Sequence, residues 1–499
     1  MKKENATMTD SILIWNEVAL EANRISFTKP EAMIEDMNGN KKPEQPGPTL
    51  SSRALAIVHL AMYDAYAGVV NDPANLPPYL PGLPSAPNGA SPTAAVAAAA
   101  YTTLIALYTK QTGFFDAKLA EHGDVANPGH DFGVTVAQAI LADRQNDPDN
   151  SDAGYEFSTE RGRHRVDPDN PGQGFDAPFY GAQSKGFAIT ARHELDAPPF
   201  DNLEYLKALR QVRVKGIAPE LMGTLDEDFE DDIRTPEETL VGIYWAYDGA
   251  IGLGTPPRLY NQIVRTVAIA RGNTEAQNAR LFALVNAAMG DAGILAWDQK
   301  YFHDFWRPVL GIREHDESVG PAATDANNNI SKDSDPFWLP LGAPRTNSVN
   351  RNLTTNTIPL KNFTPNFPAY PSGHATFGAA ALHITRLFYG VEIGDRKPDN
   401  LFDGLDFVSE ELNGSNQDNR GTVRPLHRRD FDDGLWQMIL ENGFSRVLLG
   451  VHWVFDAFRV KNNGKPNLSK NIGGVPLGIK IAEDIFTNGL KKSTVGPRT

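Results

Sequence analysis

Apolar residues recur at helical spacing in one segment of the chain after another. Ile12, Trp15, Val18, Ala19 and Ala22 fall on one face of a helix predicted over 11–23, with Asn16, Glu17 and Asn23 on the other. A loop over 28–48, rich in Pro, Gly, Asn and Lys, separates it from a second apolar helix over 51–66, capped by Ser51-Ser52-Arg53. Ser91-Pro92 opens an Ala-rich helix, and further helical patterns cover 116–121 and 132–146. From 147 to 201 the chain turns to Asp, Asn, Gly and Pro without periodicity, a length that marks a functional surface loop or a connection between bundles. The helical pattern resumes over 237–247, 259–270, 276–306, 376–387, 431–449 and 479–486. Strand-like alternation is scarce and no period of 20–50 residues repeats. The expected fold is all-α, a large helical-bundle protein with two four-helix bundles and long loops. Its parts are an N-terminal bundle over 1–146, a loop-rich connection over 147–236 and a C-terminal bundle over 237–499, unless all three form one compact domain.

Composition narrows the function. The 499 residues are 41% apolar and 22% charged, ordinary for a globular protein, and the 43 Gly and 36 Pro promise long loops. With 47 Lys and Arg against 62 Asp and Glu the net charge is −15, so a nucleic-acid backbone is repelled and any anionic ligand needs a locally basic pocket. The absence of Cys removes disulfides, thiolate metal sites and cysteine nucleophiles. No uninterrupted apolar run reaches the roughly 18 residues of a membrane helix. Lys2 and Lys3 are not followed by a signal-peptide apolar core, since Ile12-Leu13-Ile14 runs straight into Trp15-Asn16-Glu17. The expectation is a soluble protein, cytoplasmic or exported by a non-classical route. The acidic run from Asp226 to Asp232 reads as a solvated face.

Three islands carry anion chemistry. In Lys300-Tyr301-Phe302-His303-Asp304-Phe305-Trp306-Arg307-Pro308, Lys300 and Arg307 stand seven residues apart, nearly two helical turns, so a continuous helix would put both cations on one face. Such a pair usually faces solvent. Here it follows an apolar helix, and two buried cations demand an anion. In Pro371-Ser372-Gly373-His374, a hydroxyl, a glycine amide and an imidazole meet at a helix start, where the dipole favours an oxyanion. The plainer reading is a capped helix with an incidental histidine. In Ser445-Arg446-Val447-Leu448-Leu449-Gly450-Val451-His452, Arg446 offers a planar fork of donors, and His452 offers a ring nitrogen able to bind a metal or attack phosphorus. Were the helix to continue, Asp456 would lie one turn on and orient that imidazole.

The order Lys-x6-Arg-Pro, Pro-Ser-Gly-His, Ser-Arg-x5-His-x3-Asp resembles the signature shared by vanadium-dependent haloperoxidases and type-2 phosphatidic-acid-phosphatase-like acid phosphatases. The wider context is similar to vanadium chloroperoxidases of fungal type. It comprises Trp245-Ala246-Tyr247-Asp248-Gly249, Gly254-Thr255-Pro256-Pro257-Arg258, Phe367-Pro368-Ala369-Tyr370 and Gly473-Gly474-Val475-Pro476-Leu477-Gly478, with similarity near Trp15-Asn16 and over 51–66 as well. The resemblance implies a vanadate cofactor, one per chain, whose oxygens are held by Lys300, Arg307, Ser372, the Gly373 amide and Arg446, with His452 as the vanadium ligand. It implies His374 as the acid–base residue, Asp248 as the partner of Arg446, and Trp297 and Phe367 beside the halide. Bromide-preferring algal relatives usually carry His where this chain has Phe367, which favours a chloroperoxidase-like pocket. His303 departs from the pattern and is expected on the other face of its helix.

Vanadate and phosphate are both tetrahedral oxyanions that expand to five-coordinate geometry, so one pocket permits two reactions. The leading expectation is oxidation of chloride or bromide by hydrogen peroxide to hypohalous acid, which passes to an organic acceptor. The alternative is a soluble acid phosphatase in which His452 forms a phosphohistidine and His374 protonates the leaving group. A non-catalytic oxyanion carrier would not require a poised acid–base residue such as His374.

Overall fold

The computed structural model describes residues 10–36, 39–145, 154–225, 232–321, 323, 330–348 and 361–498. Residues 1–9, and the acidic run apart from Asp232, lie outside them. Among the described residues fifteen α-helices follow in order: α1 Ser11–Ser26, α2 Gly47–Val70, α3 Pro92–Leu107, α4 Thr112–His122, α5 Pro128–Asp143, α6 Tyr180–Gln183, α7 Leu203–Lys215, α8 Pro236–Tyr244, α9 Pro256–Arg271, α10 Glu275–His303, α11 Pro308–Arg313, α12 Gly373–Phe388, α13 Gly434–Leu448, α14 Val454–Ala457 and α15 Gly474–Asn488. Three two-stranded antiparallel ribbons decorate them: β1 Met33–Glu35 with β2 Lys41–Pro43, β3 Phe407–Asn413 with β4 Leu426–Arg429, and β5 Arg459–Val460 with β6 Pro466–Asn467. The chain is all-α, as its periodicity predicts.

Local signals set the helix starts. Asp10 and Ser91 accept the Leu13 and Ala94 amides at the heads of α1 and α3, and Thr235 with Glu238 and Thr274 with Gln277 form reciprocal capping boxes at α8 and α10. The 29-residue α10 is the spine, about 44 Å long at 1.5 Å per residue. It packs against α2 of the N-terminal part and against α12 and α15 of the C-terminal part. One continuous apolar core therefore runs from Trp15 to Ile485. Helix α10 is long and apolar enough to cross a bilayer, but 94% of its most apolar window is buried inside the protein.

Four helices escape the sequence reading, the short α6, α11 and α14 and the longer α7. Helix α7 lies within the segment expected to be a loop-rich connection, capped by Asn202 and burying Tyr205, Ala208, Leu209 and Val212. Its five charged residues, Glu204, Lys207, Arg210, Arg213 and Lys215, dilute the apolar stripe, so it reads as polar until its packing against α11, α13 and α14 is seen.

Candidate active site

The three islands meet through backbone bonds. The Ala369 amide donates to the Phe305 carbonyl (2.8 Å), the Ser372 amide to the Asp456 carbonyl (2.8 Å), and the Trp453 indole to the Trp306 carbonyl (2.8 Å). Segments distant in sequence thus share one frame, and the side chains they carry converge.

Lys300 and Arg307 do reach one place, but not along one helix. Asp304, in the left-handed region at φ 49°, ends α10, and Arg307 stands in extended backbone as the N-cap of α11. The expectation of a shared helical face is wrong: the chain breaks between the cations, because Asp304 tolerates the left-handed turn and Pro308 cannot continue a helix. The Lys300 ammonium is fully buried and donates to the carbonyls of Pro368 (2.9 Å), Ala369 (3.1 Å) and Pro371 (2.5 Å). Burial, and then the neighbouring charge of Arg307, hold its pKa well below the ordinary lysine value. Arg307 donates through Nε to the Phe367 carbonyl (2.9 Å) and through Nη1 to the Val451 carbonyl (2.7 Å) and His452 Nε2 (2.9 Å). Burial lowers its pKa to about 9, with Asp456 opposing the shift.

Ser372 is the N-cap of α12, its hydroxyl facing the Ala375 amide, and Gly373 is the first helical residue, as the motif predicts. Arg446, near the end of α13, is fully buried in a two-pronged pair with Asp248 (3.0 and 2.7 Å). Helix α13 stops at Leu448, so His452 and Asp456 do not lie on a continuing helix. The contact forms nonetheless: His452 Nδ1 and the Trp453 amide both donate to Asp456 Oδ2, at 2.7 and 3.0 Å. With Nδ1 protonated, Nε2 carries the lone pair. Burial and the charges of Arg307, Lys300 and Arg446 push the His452 pKa well below normal, so the ring is neutral. Burial lifts the Asp456 carboxyl to about 7, against the pull of Lys300 and Arg307.

His374 donates from Nε2 to the Ala246 carbonyl (2.6 Å) and lies 3.9 Å from Asp248, which leaves Nδ1 as its basic atom. Burial, then the charge of Arg446, lower its pKa to about 4, with Asp248 and the Ala246 carbonyl opposing. Trp297 and Phe367 pack with ring centroids 4.7 Å apart, and both Lys300 Nζ and the Arg307 guanidinium lie 4.9 Å from the Phe367 ring centre. His303 lines no part of the cavity in front of His374, and its ring packs edge-on against Tyr370 at 5.1 Å.

A cavity of about 220 Å3 opens in front of Gly373, His374, Arg446 and His452. Its wall includes Asp248, Trp297 and Phe367, and also residues that the sequence did not single out, among them Phe27, Asp176 and Phe363. The aperiodic segment before α7 has a definite job here. The Asp176 carbonyl accepts from the Trp297 indole (3.2 Å) and the Tyr301 hydroxyl (2.7 Å), while residues 162–164 pair with 304–306 just ahead of Arg307. Only its length without periodicity hinted that this loop was functional.

The donor set fits an oxyanion. Arg307 Nη2 and Arg446 Nε are buried with no hydrogen-bond partner among the described residues, and each can serve an acceptor in the site. No group of three His, Asp or Glu among the described residues is placed to hold a bare metal ion. Three cations face two carboxylates, Asp248 and Asp456, leaving positive charge for an anion to balance.

Comparison with known proteins agrees. Residues 2–186 match the vanadium chloroperoxidase N-terminal domain and residues 280–468 the VCPO second helical-bundle domain. The vanadium chloroperoxidase of Curvularia inaequalis is 36% identical, over 97% of this chain and 90% of that protein. A vanadium-dependent bromoperoxidase of Ascophyllum nodosum is 26% identical over 33% of this chain and 28% of its own length. In fold, the chain resembles a bacterial vanadium-dependent iodoperoxidase (TM-score 0.61, 16% identity, 98% of each chain) and a holo-type bacterial vanadium-dependent chloroperoxidase (TM-score 0.56, 15% identity, 94% of this chain and 96% of the other). With two domain models matched and a relative of this similarity spanning nearly its full length, the chain belongs to the vanadium chloroperoxidase family.

Proposed function

We propose that the protein is a vanadium-dependent haloperoxidase that uses hydrogen peroxide to oxidise chloride or bromide to hypohalous acid, which halogenates an organic acceptor. The observation that carries this reading is the pair of buried guanidinium N–H groups on Arg307 and Arg446 that have no partner among the described residues, beside His452 Nε2, which Arg307 Nη1 would release for it to serve as the ligand. Vanadate would be held by Lys300, Arg307, Ser372, the Gly373 amide and Arg446, with His452 Nε2 as its ligand. Lys300 would do so by giving up one of its three carbonyl partners. Bound vanadate supplies a Lewis-acid centre that activates peroxide without itself changing oxidation state.

The protein's own groups do the rest. His374, neutral above about pH 4, takes a proton from incoming peroxide at Nδ1 and returns it as water forms. Asp248 anchors Arg446 and stands beside His374, so the charge of the anion clamp and the basicity of the imidazole are coupled. Asp456 fixes the His452 tautomer that presents Nε2. The Trp297–Phe367 pair covers two of the cations and excludes water from the halide's side of the site. A relative 36% identical along nearly the whole chain supports this reading over the phosphatase alternative.

The test is reconstitution of purified apoprotein with orthovanadate, followed by halide oxidation with peroxide. Turnover that requires vanadate is expected. Absence of turnover together with rapid hydrolysis of nitrophenyl phosphate by the apoprotein would reverse the assignment.

A further inference from the structure

The turn that follows α8 presents two groups to the site in succession: the Ala246 carbonyl, which accepts from His374 Nε2 (2.6 Å), and the Asp248 carboxylate, which pairs with Arg446. Between them stands Tyr247, fully buried and in the left-handed region at φ 49°. A bulky side chain in that region is an outlier that costs free energy and persists only where its surroundings over-determine it. Strand β3 supplies those surroundings. Its pairing with β4 is interrupted between Val408 and Asn413, and there it bonds to the turn instead. The Ser409 hydroxyl donates to the Tyr244 carbonyl (2.6 Å), the Glu410 amide donates to the Tyr247 hydroxyl (2.9 Å), and Glu411 Oε1 accepts the Tyr247 amide (3.1 Å). From α9, Gln262 Oε1 accepts the Tyr247 hydroxyl (3.2 Å). Glu411 is itself fully buried, and its other oxygen accepts from the Thr346 hydroxyl and the Arg424 guanidinium. Burial raises its pKa, the charge of Arg424 opposes that shift and the charge of Asp248 adds to it. A buried ion pair adds little stability over apolar residues of the same volume, so stability alone does not account for this one.

We propose that Glu411 is a positioning residue for the reaction: by holding the Tyr247 amide it fixes the left-handed turn whose two flanking residues orient His374 and Arg446. The proposal rests on the site assignment above. Neither Glu411 nor Tyr247 lines the cavity, so the effect passes entirely through the turn. The acid–base residue and one arm of the anion clamp thereby hang from three consecutive residues, and a shift of the turn moves both at once. A displacement of about 1 Å is enough to slow a reaction about 100-fold.

Two double variants separate positioning from support. Glu411→Met/Arg424→Met and Glu411→Gln/Arg424→Met both remove the buried ion pair, but only the glutamine keeps an acceptor for the Tyr247 amide, with its own NH2 free to donate to the Thr346 hydroxyl. Calorimetric titration of each apoprotein with orthophosphate reads the clamp, and kcat for bromide oxidation by the vanadate-loaded enzyme reads the base. In the methionine variant phosphate affinity should fall about tenfold, part of the worth of one charged hydrogen bond, and kcat about 10- to 100-fold. The glutamine variant should stay within about threefold of the wild type in both. Equal values in the two variants overturn the proposal, as does a methionine variant with wild-type affinity and kcat. Should the methionine variant fail to fold, hydrogen exchange in the wild type decides. Coupling between turn and clamp is reciprocal, so saturating phosphate should slow exchange of the Tyr247 amide by the same factor of about ten, and unchanged exchange overturns the proposal. Failure of the wild-type apoprotein to bind phosphate at all would instead sink the site assignment, and the proposal with it.

Discussion

In the proposed site Arg446 is where the anion clamp and the acid–base residue would meet, and its removal separates their contributions. In Arg446→Ala the Asp248 carboxylate, whose side chain is only 8% exposed, loses both of its guanidinium bonds and stays buried without them. Stripping one partner from a buried pair costs about 3–5 kcal/mol of folding stability. The variant also loses the Nε donor available to an oxyanion, a charged hydrogen bond of about 1.5–3 kcal/mol, so vanadate affinity should fall about 10- to 150-fold. A third effect follows at His374. Arg446 is the largest charge lowering its pKa below normal, while Asp248 raises it, so the imidazole should titrate above its present value of about 4. Activity that depends on the free base should then be lost earlier as the pH falls. Guanidinium unfolding of the apoprotein, calorimetric titration with vanadate and a pH–rate profile read the three effects separately. The double variant Arg446→Ala/Asp248→Ala removes the stranded carboxylate and should recover much of the stability but none of the vanadate affinity. Unchanged affinity in the single variant, or recovery of affinity in the double one, would refute this account of the clamp.

Three further outcomes are expected. Phe367→His replaces the ring lying over Lys300 and Arg307 with a titratable group and should reduce chloride turnover more than bromide turnover; an unchanged chloride-to-bromide ratio removes Phe367 from halide selection. A Cβ at Gly474 would meet the Ser372 carbonyl at 2.5 Å, so Gly474→Ala should cost about 1–3 kcal/mol of stability and displace the head of α12, weakening vanadate binding; normal thermal stability and affinity would show that α15 does not position that helix start. Asp64 accepts the Tyr79 and Leu80 amides, and burial pushes its carboxyl up to about 7 against those bonds. Its folded value exceeds the unfolded one of about 3.9, so its contribution is full below that pH and is lost as the pH rises through about 7. Between about pH 4 and pH 7 the melting temperature of the wild type should therefore fall relative to that of Asp64→Asn, and a constant difference between the two proteins would contradict this.

Much of the molecule was legible in the chain because its signals are local. Period-3.6 apolar spacing marks most of the long helices, and Ser91-Pro92 and Ser372 mark helix starts through hydrogen bonds or ring constraints spanning three residues or fewer. The three islands announced oxyanion chemistry because their residue types make sense together only around an anion. What the sequence could not decide depends on where the chain turns back on itself. Lys300 and Arg307 looked like neighbours on one helix, yet they meet only because Asp304 ends α10 in a left-handed turn and residues 162–164 hold the extended link that follows. His452 finds Asp456 across a break between helices. His374 is held by the Ala246 carbonyl, 128 positions away and carrying no side-chain signal. The cavity wall needs Phe27, Asp176 and Phe363 together, and none of them has a neighbour in sequence that foretells it. Helix α7 was missed because its apolar stripe is too diluted by charge to register until α11, α13 and α14 cover it. Local hydrogen bonding and periodicity are written in consecutive residues, whereas burial, cavity shape and the pKa values they set arise only when distant segments exclude water together.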